Sequence, residues 1–381
     1  MSEAIVIGGG IVGATIAYRL VQAGAQTLLL DRADRGRATD AGAGIISSGT
    51  TRYHSELWHD FLVKAAAFHV KLDEQLRDED AGETGYSQCG ALAVAVDEEE
   101  IPLFEQASAL MMARQQRPDR LSSSDIQLLE PGEAQKLFPA LASVHRAYFH
   151  RQAARVDGRL LRNALLKAAS QRGLVIREVS VDKLVIQSGK VTAVTAGHEI
   201  YPADSVAIAG GAWTPEFEGQ LGIRIPVQPH RGQIIHLRLD DDPGVPIANW
   251  PIVHAFRDHY MLTFPGNRIV VGATQEADTG FAPFMTAGGV QEVLREALRV
   301  APGLAKAEIS ELRVGLRPKT PDGLPILGSV PGLQNLFLAT GHGAGGLTLG
   351  SYSGVQIADL MLGKSAETDI TPFGLSRFSG Q

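Results

Sequence analysis

The chain opens on AIVIGGGIVGA, an apolar run broken by Gly8, Gly10 and Gly13 in the spacing G-x-G-x-x-G. Few stretches of this length restrict a fold as much. The first glycine permits a sharp turn, the second lets a pyrophosphate approach the backbone, and the third lets the following helix lie close against the strand. That helix then presents free amides and a partial positive charge to phosphate groups. The helix VGATIAYRLVQAG is closed by Gly24, and a second apolar strand, QTLLLD, ends on Asp31. A carboxylate there can accept hydrogen bonds from adenosine ribose hydroxyls. The stretch predicts a β-α-β unit that holds a dinucleotide, with NAD and FAD both open at this point.

Beyond residue 31 the pattern changes. A loop rich in small residues, RATDAGAGIISSGTT, precedes an expected helix over 56–79 that repeats Leu57, Phe61, Ala65, Phe68, Leu72 and Leu76 near helical spacing. GALAVAV reads as a strand, 101–138 as helical and polar, and RLLRNALLKAASQRG as an amphipathic helix ending at Gly173. LVIREVSV, KVTAVTAG and SVAIAGGAWT read as strands, and 222–275 is rich in them, with IIHLRL, HYMLTF and RIVVGAT separated by turn residues. No internal repeat is visible. A chain of 381 residues has room for two or three domains, and this order suggests an α/β nucleotide domain interrupted by a largely antiparallel one.

Composition excludes several functions. A net charge of −7 argues against a nucleic-acid partner, which calls for a basic face. The single cysteine, Cys89, rules out an intrachain disulfide and a thiolate metal site, and fits a reducing compartment. A cytoplasmic location is therefore expected, with peripheral association at the inner face of the membrane left open. The apolar start lacks a basic segment, and no run of about 20 apolar residues follows. His230 with His236, and His254 with His259, lack ligand spacing, while His54 and His59 read as structural histidines, so no metal is expected. Neither G-x-S-x-G nor a Walker A sequence is present, which leaves hydrolase and NTPase readings without support.

Near the other end, GHGAGGLTLG lies between the strand-like LQNLFLAT and the helix-like SYSGVQIADLMLG. A plain turn and a ligand loop both fit that placement. TDAGAGIIS, RVDGRLLRNAL, AGGAW, PHRGQ, RIVVGAT, GLRPKTPDGLPILG and LFLATGHGAGGLTLG follow the opening motif in order over nearly the whole chain. Together they resemble the D-amino-acid oxidase (DAO) family of flavoproteins, above all its glycine oxidase and D-amino-acid dehydrogenase branches. The resemblance implies non-covalent FAD and oxidation of a D-amino acid or small amino acid such as glycine, sarcosine or proline. Hydride would pass from the α-carbon to flavin N5, giving an imino and then a keto acid. It also implies a mixed α/β fold, in which a Rossmann-like FAD-binding domain (1–85, 150–220 and 316–381) is interleaved with a substrate domain (86–149 and 221–315) on a mixed, largely antiparallel sheet.

By the same resemblance FAD would be held by Gly8, Gly10, Ile11, Val12 and Gly13, by Asp31 and Arg32, and by Thr39, Ala43, Gly44, Ile45 and Ile46. Val181, Ala209, Gly210 and Trp213 would also bind it. His342, Gly343, Ala344, Gly345, Gly346, Leu347 and Thr348 would face the flavin, where a helix amino end stabilises negative charge near N1 and O2. Arg317, kept extended by Pro318, would bind the substrate carboxylate through its planar fork, and Tyr260 would assist. Two positions depart from the family pattern. Ala344 stands where some relatives carry a polar side chain, and Arg313 stands where an aromatic is common. On a strand Arg313 would share a face with Gly315 and Arg317, leaving a second anion site or a solvated arginine. A flavin subunit of a heteromeric amine or opine dehydrogenase and a non-catalytic FAD redox sensor are the alternatives. The electron acceptor, whether oxygen, a quinone or a partner protein, and the oligomeric state are not readable.

Overall fold

The computed structural model describes residues 3–48, 56–116, 126–130, 132–240 and 246–378. Strand Glu3–Ile7 is buried on every residue after the first, because its apolar run is covered on both faces. It pairs in parallel with Gln26–Leu30 on one side and Ser205–Ile208 on the other. The sheet they form has six strands, in the order Ile326–Ser329, Leu336–Thr340, Ser205–Ile208, Glu3–Ile7, Gln26–Leu30, Val175–Arg177. Only Ile326–Ser329 runs antiparallel.

Helix Ile11–Gln22 leaves the first strand through the glycine turn and is buried on nearly every side, between helices Gly158–Gln171 and Gly346–Met361. Its approach to the last helix is set by small residues. A Cβ on Gly354 would stand 2.8 Å from Thr15 Cβ and 2.9 Å from the Val12 carbonyl. The 56–79 helix forms over Glu56–Asp78, with Phe61, Ala65, Leu72 and Leu76 buried, whereas Phe68 is half-buried and Leu57 is exposed.

A second sheet of eight strands runs Glu308–Lys319, Gln228–Arg238, Arg268–Gly272, Tyr260–Phe264, Ile252–Ala255, Ala91–Ala95, Arg146–His150, Ile126–Leu129. It is antiparallel except where Ile252–Ala255 meets Ala91–Ala95. Helix Ala287–Val300, capped by Thr286, packs its apolar side on one face. The other face packs Ile234, Ile252, Leu262 and Val270 with Ala43 and Ile45. Strands Arg146–His150 and Glu308–Lys319 run across two of the four positions, 149/150 and 315/316, at which the sequence reading divides the domains.

Three local expectations need correction. Within 101–138, helix Ile101–Gln115 is followed by strand Ile126–Leu129 and the short helix Glu133–Leu137. The strand adds to the sheet edge beside Arg146–His150, a long-range pairing that local polarity does not announce. LVIREVSV is a strand only over Val175–Arg177, because the Val179 amide turns to the Asp31 carbonyl and carries the chain across the strand ends. SVAIAGGAWT stops being a strand at Ile208 and enters a 3-10 turn over Gly211–Phe217. No helix among the described residues is long and apolar enough to cross a membrane.

Candidate active site

The glycine turn is built by close contacts. Gly8 has φ of +105°, and a Cβ there would lie 2.5 Å from the Ala209 carbonyl oxygen. A Cβ on Gly13 would fall 1.9 Å from the Gly8 oxygen, so helix and strand could not both keep their places. At Gly10 the nearest atom to such a Cβ is Thr39 Oγ1, at 3.3 Å, and Thr39 accepts the Ile11 amide at 3.0 Å. Asp31, at the end of the second strand, accepts from Arg37, which also donates to Asp40 at 3.2 Å. Arg32 makes two bonds to Glu216, at 2.7 and 2.8 Å, and lies 6.0 Å from the Trp213 ring centre. Trp213 in turn stacks on Phe281 with centroids 5.5 Å apart.

Most of these groups line one cleft that runs from the nucleotide turn to the second sheet; Gly13, Asp40 and Phe281 do not. Its empty space, mouth included, is about 1570 Å³. Gly8, Gly10, Ile11, Val12, Asp31, Arg32, Thr39, Ala43, Gly44, Ile45, Val181, Ala209, Gly210 and Trp213 line it, as do Tyr260, Arg317, His342, Gly343, Ala344, Gly346 and Leu347. Gly13, Ile46, Gly345 and Thr348 stand behind its wall instead. Gly13 is held against Gly8, and a Cβ on Gly345 would meet Leu349. Ile46 is 1% exposed, and Thr348 donates to the Ile45 carbonyl at 2.9 Å.

The reading of the sequence missed Gly9, Arg37, Gly42 and Gly232 among the lining residues. A Cβ on Gly9 would meet Asp31 Oδ2 at 2.7 Å, and one on Gly42 would meet Leu347 Cδ1 at 2.6 Å. The glycine clusters GGG and AGAG were the available signal for Gly9 and Gly42.

The second glycine loop splits into two roles. Gly341 and Gly343 have positive φ, +77° and +52°, and turn the chain out of strand Leu336–Thr340. Gly346 begins the last helix. His342, 4% exposed, lines the cleft, and its Nε2 is buried with no hydrogen-bond partner. Burial lowers its pKa from 6.5 to about 4, so the ring is neutral at pH 7. From behind, the buried His69 donates through Nε2 to the Thr348 carbonyl at 3.1 Å, and burial likewise lowers its pKa to about 4. An orphaned polar atom beside a cradle that any Cβ would fill is the arrangement a flavin dinucleotide fits.

At the far end Arg317 projects from strand Glu308–Lys319 across Gly232, where a Cβ would stand 2.3 Å from its guanidinium carbon. Nη1 donates to the Thr274 carbonyl at 2.9 Å. Among the described residues Arg317 has no carboxylate partner, an unusual condition for a half-buried cation. Tyr260 lies beside it; burial raises the phenol pKa, and the Arg317 charge and hydrogen bond oppose that rise. Arg313 is neither solvated nor in the cleft. Its guanidinium is about 10% exposed and bound to Glu311 at 2.7 Å, on the same strand face. That bond leads the effects that lower the Glu311 pKa to about 2. His236, buried beside Arg313 and Arg268, has its pKa lowered to about 3. His54 lies outside the described residues. Glu56, His59 and Asp60 have ligand atoms within 4.8 Å of one another, a grouping the spacing did not flag, and Glu56 also accepts from Arg114 at 3.2 Å.

Comparisons with known proteins agree with this geometry. The family model described as DAO, FAD dependent oxidoreductase, matches residues 3–360. The uncharacterized oxidoreductase YurR of Bacillus subtilis (strain 168) is 39% identical, over 98% of both chains. The crystal structure of iminodiacetate oxidase from Chelativorans sp. BNC1 is 37% identical, covers 97% of this chain and 98% of its own, and superposes with a TM-score of 0.90. For glycine oxidase from Geobacillus kaustophilus the values are 28%, 99% of both chains and 0.89.

Proposed function

The chain belongs to the DAO family of FAD-dependent oxidoreductases, and from that premise we propose that it oxidises a small amino acid of the glycine type, N–CH2–COO⁻, at the carbon between amine and carboxylate. One observation carries the reading. Arg317 is a half-buried guanidinium with no carboxylate partner among the described residues, and it faces a cleft whose opposite end is a dinucleotide cradle. Glycine oxidase and iminodiacetate oxidase, both similar to this chain over nearly its whole length, are named for substrates that share that unit.

FAD, when bound, supplies the two-electron acceptor. Gly8, Gly10 and the Ile11 helix end would hold its pyrophosphate, and Asp31 its ribose. His342 and the amide end of helix Gly346–Met361 would meet the polar edge of the ring. Arg317 would take the substrate carboxylate in two parallel hydrogen bonds, while an Nη1 donor is held by the Thr274 carbonyl. Tyr260, whose phenol keeps its proton at neutral pH, would donate a further bond. Leu347 and Ile45 line the intervening space with hydrocarbon, which excludes water and strengthens these polar contacts. The residues' work is positioning: no side-chain base is required when the amine arrives neutral. Anaerobic mixing of the FAD-loaded protein with glycine, sarcosine, iminodiacetate, proline and D-alanine tests the reading. Bleaching of the flavin band by one of the first three, faster than by D-alanine or proline, is expected. Faster bleaching by D-alanine or proline than by each of the first three, or no bleaching by any of them, would contradict it.

A further inference from the structure

Strand Arg268–Gly272 pairs with Gln228–Arg238 in a register that sets Ile234 opposite Gly272. Beyond its end the pairing resumes at Glu276, which stands opposite Arg231. Residues 273–275 therefore face only 232 and 233, and Thr274 sits in a bulge with one residue too many. Arg231 and Glu276 exchange both backbone bonds, at 2.9 and 3.0 Å. In an antiparallel ladder such pairs recur at every second residue, which makes Gln233 and Thr274 the next pair. Only half of that pair forms in the regular way. The Thr274 amide donates to the Gln233 carbonyl at 3.3 Å, but the Gln233 amide donates to Thr274 Oγ1, at 3.1 Å, in place of the Thr274 carbonyl. The carbonyl left over accepts Arg317 Nη1 at 2.9 Å.

The hydroxyl is itself fixed. It donates to Glu276 Oε1 at 2.7 Å, which leaves its lone pairs for the Gln233 amide. The Gln233 side chain donates to the same carboxylate oxygen at 2.5 Å, and Arg231 holds the other oxygen. Thr274 and Gln233 are both 0% exposed, so solvent does not replace a lost partner. We propose that Thr274 is a positioning residue for Arg317: its hydroxyl stands in for its own carbonyl in the ladder, and so frees that carbonyl to hold the guanidinium toward the cleft. The inference rests on the assignment of the substrate carboxylate to Arg317. Without the hydroxyl, the buried Gln233 amide loses its acceptor. The carbonyl of residue 274, its partner in a regular ladder, then turns to satisfy it. Arg317 is released into several rotamers, and ordering it again weakens carboxylate binding.

Methoxyacetate carries a carboxylate on a methylene, with an ether oxygen where the substrate has its amine, so it binds without being oxidised. It is titrated into the FAD-loaded protein and followed by the perturbation of the flavin absorbance. Thr274→Val keeps the shape and removes the hydroxyl. It should raise the methoxyacetate dissociation constant about tenfold and leave that of FAD unchanged. Thr274→Ser, which keeps the hydroxyl, should stay within about twofold of the unmodified protein. Thr274→Cys has a sulfur that accepts only weakly; it should raise the constant about threefold or more, and it carries the test if the valine variant does not fold. Thr286→Ala controls for general loosening, because it deletes a hydroxyl bound to the same Gln233 side chain and uncaps helix Ala287–Val300. It should lower the melting temperature and leave methoxyacetate affinity in place. A constant within about twofold of the unmodified protein for Thr274→Val or Thr274→Cys, a serine variant as weak as valine, or an equal loss in Thr286→Ala would overturn the role of Thr274. Arg317→Ala reports separately on the carboxylate assignment, because an unaltered methoxyacetate affinity there would sink that assignment whatever the Thr274 variants show.

Discussion

Asp31 and Tyr260 show how far single residues carry the account. Asp31 ends the second strand with its carboxylate turned to Arg37 at the rim of the cradle. Asp31→Ala removes the acceptor proposed for the ribose and should raise the dissociation constant for FAD by about tenfold. Fluorescence titration of the apoprotein with FAD measures this, and an unchanged constant would contradict the ribose role. Tyr260→Phe keeps the ring and deletes one hydrogen bond, so the rate of flavin reduction over the substrate dissociation constant should fall by roughly 1–1.5 kcal/mol, about tenfold. Stopped-flow reduction by the fastest substrate of the panel checks it, and a change below twofold would place Tyr260 in the core alone. Arg317 was legible because GLRP fixes both an extended backbone and a cation beside small residues. The role of Arg313 was not, although the signal was present: Glu311 lies two residues earlier on the same face and captures it. His342 and Thr39 entered through family resemblance, since a buried orphaned nitrogen or a hydroxyl capping a distant helix is a product of tertiary contacts.

Elements were legible where the pattern was local. Strand, turn and helix over residues 3–22 follow from an apolar run and three spaced glycines, and the helix at 158–171 follows from its amphipathic repeat capped by Asp157. Strand Ile126–Leu129 was missed because its stability comes from pairing with a strand some twenty residues on, not from its own composition. Gly354 was likewise invisible as a packing residue. Substituting it should damage the crossing of the first and last helices without touching the cleft. Gly354→Ala places a methyl 2.9 Å from the Val12 carbonyl, and overpacking of this kind costs about 1–3 kcal/mol. Thermal denaturation should register it as a drop of several degrees, whereas Gly24→Ala, with nothing within 4 Å of the new methyl but φ of +84°, should show only the strain of a left-handed residue, about 1 kcal/mol. Equal melting curves for Gly354→Ala and the unmodified protein would contradict the close crossing.

Across the whole molecule, three buried histidines, His69, His342 and His236, have pKa values lowered from 6.5 to about 4, 4 and 3. Each stays neutral in the folded chain while its unfolded counterpart takes up a proton near pH 6.5. Acid therefore favours unfolding. The stability they contribute is full above about pH 6.5 and is lost as the pH falls toward 4, with a slope of about 1.4 kcal/mol per pH unit for each histidine inside that window. His69→Gln keeps a donor for the Thr348 carbonyl but cannot titrate, so its denaturation midpoint should decline less steeply between pH 6.5 and 4. An identical slope would remove His69 from the account.

The two-sheet plan and the flavin cradle were readable from order and spacing. The meeting of Arg317 with Gly232 and Tyr260, drawn from three strands, and with Thr274, just past a fourth, was not, because register decides it. That meeting is the centre of the functional account, and one measurement addresses it most directly. FAD-loaded protein and its Arg317→Ala and Arg317→Lys variants are mixed anaerobically with the fastest-reducing glycine-type amine, and the rate of flavin bleaching is followed against substrate concentration. Loss of a bidentate carboxylate contact predicts a fall of about 3–5 kcal/mol in the second-order reduction rate for Arg317→Ala, two to three decades or more, with FAD still bound. Arg317→Lys should recover only part of it, since an ammonium lacks the planar fork. A reduction rate for Arg317→Ala within a few-fold of the unmodified protein would contradict the assignment, and with it the reading of the substrate as an amino acid.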